Sequence, residues 1–540
     1  MIPARLDAAP AFPPMPTAEP HGRLGRVAAI TESRLTGVLR DGDDGMAPAV
    51  GALVKIHTPE SRIFGIVSAV RTVDPAAATA TVVVDIEMVC EALDAGDGGR
   101  LRRGVSIYPA LGADIFAAGR EETALIYGAD GAGGLAIGTL QHDPSLTAML
   151  SLDGLLERHF AVLGTTGAGK SCAVALIARA IIAAHANARI VLLDPHGEYG
   201  AAFGERAEVL DAGSMYLPYW LLDFETLVAI MVSHGAEREA ESAILRGAVL
   251  HAKHAFATEH GGADRITVDT PIPYRFGDFI QFIDVEMGKL DKPESTAPYM
   301  RLKARLDSLR GDRRYACMFS GIRVRDEMPA VLSRLLRLPV DGKPITVVDL
   351  SGLPAEIFDA VASVVCRLIF DFAQWNPCRE GFHLLLLCED AHRYVPERES
   401  ADPGPTMKAI TRIAAEGRKL GIALGIVSAR PSEVAVDVLS QCNTLVALRL
   451  NSERDHAFVR NVLPASALGL VEALPTLKPR EAVIVGDGVS VPMHMRFADL
   501  APEARPQAAM LAFSEAWTSD IADPATLIPA TIDRWRRQRR

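Results

Sequence analysis

The stretch HFAVLGTTGAGKSCAVALIARAII, His159 to Ile182, decides the architecture. A short apolar run meets a glycine-rich turn, then Lys and Ser, then a segment with Val174, Ile177 and Ile181 at helical spacing. Gly164 to Ser171 reads GTTGAGKS and satisfies G-x-x-x-x-G-K-[ST]. Glycines let the backbone curl so that successive N–H groups point at phosphate oxygens. Lys170 has the reach for β- and γ-phosphates, the Ser171 hydroxyl is a Mg²⁺ ligand, and the following helix offers its positive end to the anion. Set between a strand and a helix, the motif predicts a nucleotide cradle made of Gly164, Thr165, Thr166, Gly167, Ala168, Gly169, Lys170, Ser171 and Cys172.

The pattern around this loop is that of an α/β fold. From about Ser151 onward, HFAVLG, ARIVLLD, ITVVDLS, HLLLLCED, IALGIVS and NTLVALRL are near-continuous apolar runs. Strands of a parallel sheet covered on both faces require such runs. Between about His234 and Ser333 the chain turns charged and helical, as in APYMRLKARLDSLRGDRRY, and reads as an insertion. From Gly22 to Tyr127, short alternating runs broken by Gly, Asp and Pro predict a small all-β barrel, followed by a glycine-rich joint, GADGAGGLAIG. The expected organisation is a flexible tail over 1–20, a barrel over 21–127, an α/β domain over 128–500 with a helical insertion at about 234–333, and a helical, basic tail over 501–540.

Size and composition narrow the function classes. A chain of 540 residues exceeds one ordinary core, and 49% hydrophobic with 23% charged residues fits a globular protein. No uncharged apolar stretch reaches the length of a membrane-spanning helix, so no membrane partner is expected. The seven cysteines, Cys90, Cys172, Cys317, Cys366, Cys378, Cys388 and Cys442, form no C-x-x-C pair and read as core residues of a cytoplasmic protein. A net charge of −11 argues against a surface coated with nucleic acid, but leaves room for a basic inner channel. The closing DRWRRQRR is the one dense basic patch, readable as a solvated tail or as a contact.

Three later strand ends carry further polar residues. HLLLLCEDAHRYVP sets Glu389 and Asp390 at the end of an apolar strand, where one carboxylate can hold Mg²⁺ through water and the next can orient an attacking water. LLDPHGEY sets Asp194, His196 and Glu198 past another strand end, read as turn formers or support for the nucleotide before a dedicated metal site. EGRKLGIALGIVSARPSEV supplies Arg418 and Lys419 before a strand and Arg430 after it. An arginine aimed at a neighbouring subunit's γ-phosphate stabilises transition-state charge, and Arg418, then Arg430, are the candidates.

Taken in order, LDGLLERHFAVLGTTGAGKS, LLDPHGEY, DRRYACMFSG, ITVVDLSGLP, LLLLCEDAHRYVP, EGRKLGIALGIVSARPSEV and VLSQCNTLVALRL resemble the HerA family of the HerA–FtsK group of DNA-pumping ATPases. The early β segment looks like that family's N-terminal barrel, and LPTLKPREAVIVGDGVSVPMHMRF like its closing strands. The resemblance implies a RecA-like P-loop ATPase core using ATP and Mg²⁺, with Ser171 and Glu389 at the metal. It further implies a homo-hexameric ring threaded on DNA, duplex by expectation, and a partner effector such as a NurA-like nuclease or a SIR2-type protein. Glu389 and Asp390 match the tandem acids, and Arg418 lies where the trans-acting arginine belongs. Three positions depart from the family pattern. Glu389-Asp390 replaces Glu-Glu or Asp-Glu, which implies slower hydrolysis because a shorter carboxylate must sit closer to its water. Ala429 stands where Gln is expected, with Gln441 the nearby amide, and Arg480-Glu481 replaces Gly-Glu. Two functions follow: an ATP-driven DNA translocase or helicase, or a nucleotide-dependent ring scaffold that activates an anti-phage effector with little motor activity.

Overall fold

A computed structural model describes residues 22–506, 514, 517–518 and 523–536, apart from 32, 40–47, 74–80, 94–100, 129–132, 233–234, 236, 261–264, 290–292, 320–323, 379–380, 398–402 and 463–467. The expected tail over 1–20 and the last four residues of DRWRRQRR lie outside the described residues. The chain divides into two compact units, one made of residues up to Leu192 with Pro339–Pro344 and Val365–Leu500, the other of Leu193–Leu338, Ile345–Val364 and the residues from Ala501.

The first unit opens with a β-barrel. Its strands are β1 (Arg23–Ile30), β2 (Arg34–Leu39), β3 (Leu53–His57), β4 (Ser61–Val73), β5 (Thr81–Leu93), β6 (Leu101–Arg103) and β7 (Asp114–Ala117). The order β2-β1-β7-β3-β4-β5 closes on itself because β5 also pairs with β2, and β6 is added outside β5. Closure removes the edges that a small sheet leaves exposed. Val27, Leu35, Val54, Ile56, Ile63, Val67, Val84 and Ile86 fill the interior. The helix Arg120–Tyr127 is fastened to β3 by a buried ion pair, Lys55 to Glu122 at 3.0 Å.

The same unit holds most of the main sheet. Here β11 (Ile190–Asp194), β14 (Leu384–Cys388), β15 (Ile422–Ser428), β10 (His159–Leu163) and β16 (Cys442–Ala447) lie side by side in that order, with parallel pairing across β14-β15-β10-β16. Every residue of β10, β11, β14 and β15 is buried, as strands covered on both faces must be. Beyond β16 the pairing turns antiparallel through β17 (Glu481–Gly486), β18 (Met493–Phe497), β8 (Gly134–Leu140) and β9 (Thr147–Ser151). Part of the presumed joint GADGAGGLAIG is therefore strand β8, which glycines permit because their neighbours approach closely. A Cβ on Gly138 would stand 2.0 Å from the Arg496 carbonyl oxygen.

In the second unit, β12 (Ala207–Leu210) pairs in parallel with β13 (Ile345–Asp349). The residues between them form the helices Arg238–His260, Phe276–Gly288, Pro293–Gly311 and Met328–Leu336. Tyr219, Tyr274, Phe276, Phe279 and Phe319 make a cluster of edge-to-face and stacked rings among these segments. Lys253 is buried beside Tyr274, and its ammonium donates to the carbonyls of Val268 and Thr270. All seven cysteines are free thiols, and burial pushes the Cys317 thiol up to about 11. No described helix is long and apolar enough to cross a membrane.

Candidate nucleotide site

The glycine-rich loop leaves β10 and enters the helix Lys170–Ala184, whose N-terminal end it caps. Its entry is tied to two neighbouring strand exits. Gly164 N–H donates to the Ser428 carbonyl at 3.2 Å, and Thr165 donates to the Arg449 carbonyl through its N–H (2.8 Å) and its hydroxyl (3.1 Å). Inside the loop, Ala168 N–H donates to the Thr165 carbonyl at 3.1 Å, and the buried Lys170 ammonium to the same oxygen at 3.4 Å. Gly167 and Gly169 have φ of 80° and 103°. L side chains rarely adopt such values, so an anion nest of this shape needs glycine at both places.

The tandem acids come to the same end of the sheet. Register pairs Leu163 with Ser428 and Cys388 with Ile426 across parallel strands, so Gly164, Glu389, Asp390, Ala429 and Arg430 all leave the sheet at its carboxyl edge. Ligands of open α/β sheets bind outside that edge. Glu389 is buried, and Asp390 is half-buried with left-handed φ 51° and ψ 50°. His392, in the following turn, faces Asp390, Glu433, Arg430 and Arg393. Burial holds its imidazole below the ordinary histidine range against the pull of the two acids. Arg430 pairs with Glu433 at 3.2 Å. The segments after β14 and β15 are laced together by Glu397 N–H to the Glu433 carbonyl (2.7 Å) and Ala435 N–H to the Val395 carbonyl (2.9 Å).

Arg418 stands at the opposite edge. It precedes β15, whose seven residues, at about 3.3 Å each, put roughly 20 Å between it and the phosphate-loop end. Its side chain is exposed and lines a pocket of about 670 Å³ together with Glu157, His185, Arg189 and His383. Gln441 lies at that edge too, because it precedes Cys442, which is in register with His159 at the start of β10. It does not stand beside Ala429 and does not replace the missing amide there. Parallel strands carry residues a few positions apart to opposite edges, which adjacency in sequence conceals.

Asp194 in LLDPHGEY is a turn former. Its buried carboxylate accepts from the N–H groups of His196 (3.2 Å), Gly197 (2.9 Å) and Tyr199 (2.9 Å). Desolvation, with Asp349 adding to it, raises its pKa despite those bonds. Among the described residues no group of three or more His, Cys, Asp or Glu side chains is arranged to hold a metal ion. Two arginines at the loop went unassigned by motif reasoning. Arg449 lends its carbonyl to Thr165 and has a buried Nε with no hydrogen-bond partner. Arg480 lends its N–H to the Ala168 carbonyl at 3.2 Å. Neither lies near the loop in sequence, and only the departure from Gly-Glu drew attention to Arg480.

Fold and site together define a mixed α/β protein in which a G-x-x-x-x-G-K-S loop joins a parallel strand to a helix. Residues 135–369 match the family model described as Helicase HerA, central domain. The DNA double-strand break repair helicase HerA of Pyrococcus furiosus is 27% identical over 412 residues, covering 71% of this chain and 72% of that one. HerA of Saccharolobus solfataricus is 26% identical over 395 residues, covering 72% of each. The structure of VirB4 of Thermoanaerobacter pseudethanolicus aligns with a TM-score of 0.48 at 15% identity, over 70% of this chain and all of that one. The chain is thus similar to the HerA central domain over residues 135–369, and to curated HerA helicases at 26–27% identity over 71–72% of its length.

Proposed function

We propose that this chain is the subunit of a homo-hexameric ring that hydrolyses ATP and moves DNA, duplex in the first instance, through its centre. The observation that carries the reading is the position of Arg418. It is exposed and stands roughly 20 Å along β15 from its own phosphate loop, so the γ-phosphate it serves belongs to an adjacent copy. A RecA-like core used in this way fires only when assembled. Within one subunit the loop N–H groups and Lys170 hold the phosphates, and Asp390 orients the attacking water. The Ser171 hydroxyl and the Glu389 carboxylate are hard oxygen donors at the loop helix and at the end of β14, a donor set that fits Mg²⁺. Bound with ATP, Mg²⁺ neutralises phosphate charge as the terminal bond breaks. HerA relatives named as DNA double-strand break repair helicases support DNA as the substrate. A partner nuclease or SIR2-type effector completes the proposal.

The test is ATP turnover by the purified protein, with its mass measured by light scattering, in the presence and absence of duplex DNA. A hexamer whose turnover rises several-fold on duplex DNA supports the reading, and turnover indifferent to any DNA overturns the translocase part. A second reading is favoured by Ala429, whose methyl group offers the γ-phosphate no hydrogen bond and which Gln441 does not reach. In that reading the ring is chiefly a scaffold whose nucleotide state licenses an effector. It predicts effector binding that survives Asp390→Ala.

A further inference from the structure

Arg480 occupies a backbone conformation that its residue type disfavours, and it does so against the phosphate loop. Its φ is 71°, in the left-handed region where glycine is at home. Its N–H donates to the Ala168 carbonyl inside the loop, and its own carbonyl accepts from Phe497 N–H at 2.9 Å, so the main chain is clamped on both sides. Its side chain starts over the loop, with Cγ 3.6 Å from where a Cβ on Gly169 would stand. The guanidinium pairs with Asp499, a carboxylate whose side chain is 71% exposed. Strain of this kind persists where surrounding contacts over-determine it, and it concentrates at ligand sites.

We propose that Arg480 is a nucleotide-contacting residue, one that leaves Asp499 to pair with the α- and β-phosphates held by Gly167 to Cys172. The inference rests on the reading of that loop as a nucleotide cradle. An arginine side chain reaches about 6–7 Å from its Cα and brings a planar fork that suits phosphate oxygens. Arg480 needs no movement of the main chain, because its backbone is already bonded to the loop. An exposed acid is a weak competitor: ion pairs in water contribute little and exchange readily, whereas phosphate oxygens in the nest lie in a field of aligned N–H dipoles. Arg480 thus supplies from the β17–β18 side a second positive charge, opposite Lys170. Because α- and β-phosphates are common to ATP and ADP, the residue raises affinity for both and does not discriminate between them.

The experiment titrates the full-length protein with fluorescent mant-ATP and mant-ADP in Mg²⁺ buffer, and records thermal unfolding without nucleotide. Arg480→Gly suits the left-handed backbone, so its nucleotide-free Tm equals or exceeds that of the parent while affinity for both nucleotides drops about tenfold. Asp499→Asn releases the guanidinium and tightens binding two- to threefold. A residue that only braces the loop gives a different result: Arg480→Gly binds both nucleotides as the parent does. That outcome, or a loss confined to mant-ATP, overturns the assignment. Failure of the parent protein to bind either probe, or parent-like binding by Lys170→Ala, overturns the cradle reading itself and the inference with it.

Discussion

Asp390 and Arg480 are both non-glycine residues in the left-handed region, and the proposals above give both a part in handling the nucleotide. Each such position costs on the order of 1 kcal/mol, tolerated where geometry is needed for chemistry. Lys170→Ala removes the one buried ammonium of the loop, and ATP turnover is expected to fall about 100-fold or more with the far-UV spectrum unchanged. Asp390→Asn keeps the shape and loses the charge, so nucleotide binding persists while turnover falls. A different residue-scale effect comes from His159, buried on β10. Its Nδ1 accepts from Leu424 N–H at 3.0 Å and its Nε2–H donates to the Ala414 carbonyl at 2.9 Å. Desolvation lowers its pKa below the usual value. The unfolded chain then binds a proton that the folded one refuses, so this contribution to stability is intact above about pH 6.5 and is lost as pH falls below it. The urea midpoint should drop between pH 7.5 and 5.5, and His159→Gln should start lower but fall less. The placement of the loop between a strand and a helix, and of the acids at a strand end, was legible in the sequence because both patterns are local. The strained φ of Arg480 was not, since partners distant in sequence impose it.

Strand β15 shows what an element contributes. It lies between β14 and β10, and Gly425 at its middle has no room for a side chain. A Cβ there would meet Leu387 Cδ2 at 2.5 Å and the Phe160 ring at 2.7 Å. Gly425→Val should lower stability by roughly 1–3 kcal/mol, read as a drop in thermal midpoint, because both neighbours are buried and have nowhere to go. In the second unit, Lys253→Met removes the buried ammonium that satisfies two carbonyls, at an expected cost of about 1–3 kcal/mol. The parallel strands were legible because burial on both faces writes itself as a continuous apolar run. Strand β8 was misread as a joint because GLAIG carries no such run, and one of its two partners, β18, lies more than 350 residues further along the chain. The barrel was legible from alternation and turn residues, but its closure through the β2–β5 pairing was not, since no local pattern specifies which strand meets the first.

For the whole molecule, the two arginines of EGRKLGIALGIVSARPSEV divide the work. In the proposed ring, Arg430, paired with Glu433 beside His392, would serve the subunit's own site, and the exposed Arg418 at the far edge would serve the neighbour's. The sequence alone puts Arg418 ahead of Arg430 as the candidate, and the polarity of strand β15 sets the two at opposite edges of the sheet. A ring built this way has sites that are each completed by two copies, and no monomer is competent. Two variants that are inactive alone therefore carry complementary halves. Lys170→Ala lacks the cradle and keeps Arg418, whereas Arg418→Ala keeps the cradle and lacks the arginine. The decisive measurement is ATP turnover after the two variants are mixed and reassembled in equal amounts. Recovery to about a quarter of the parent rate is predicted, the share of sites where an intact cradle faces an intact arginine by chance. A mixture no more active than its components, or Arg418→Ala turning over ATP at the parent rate by itself, would contradict it.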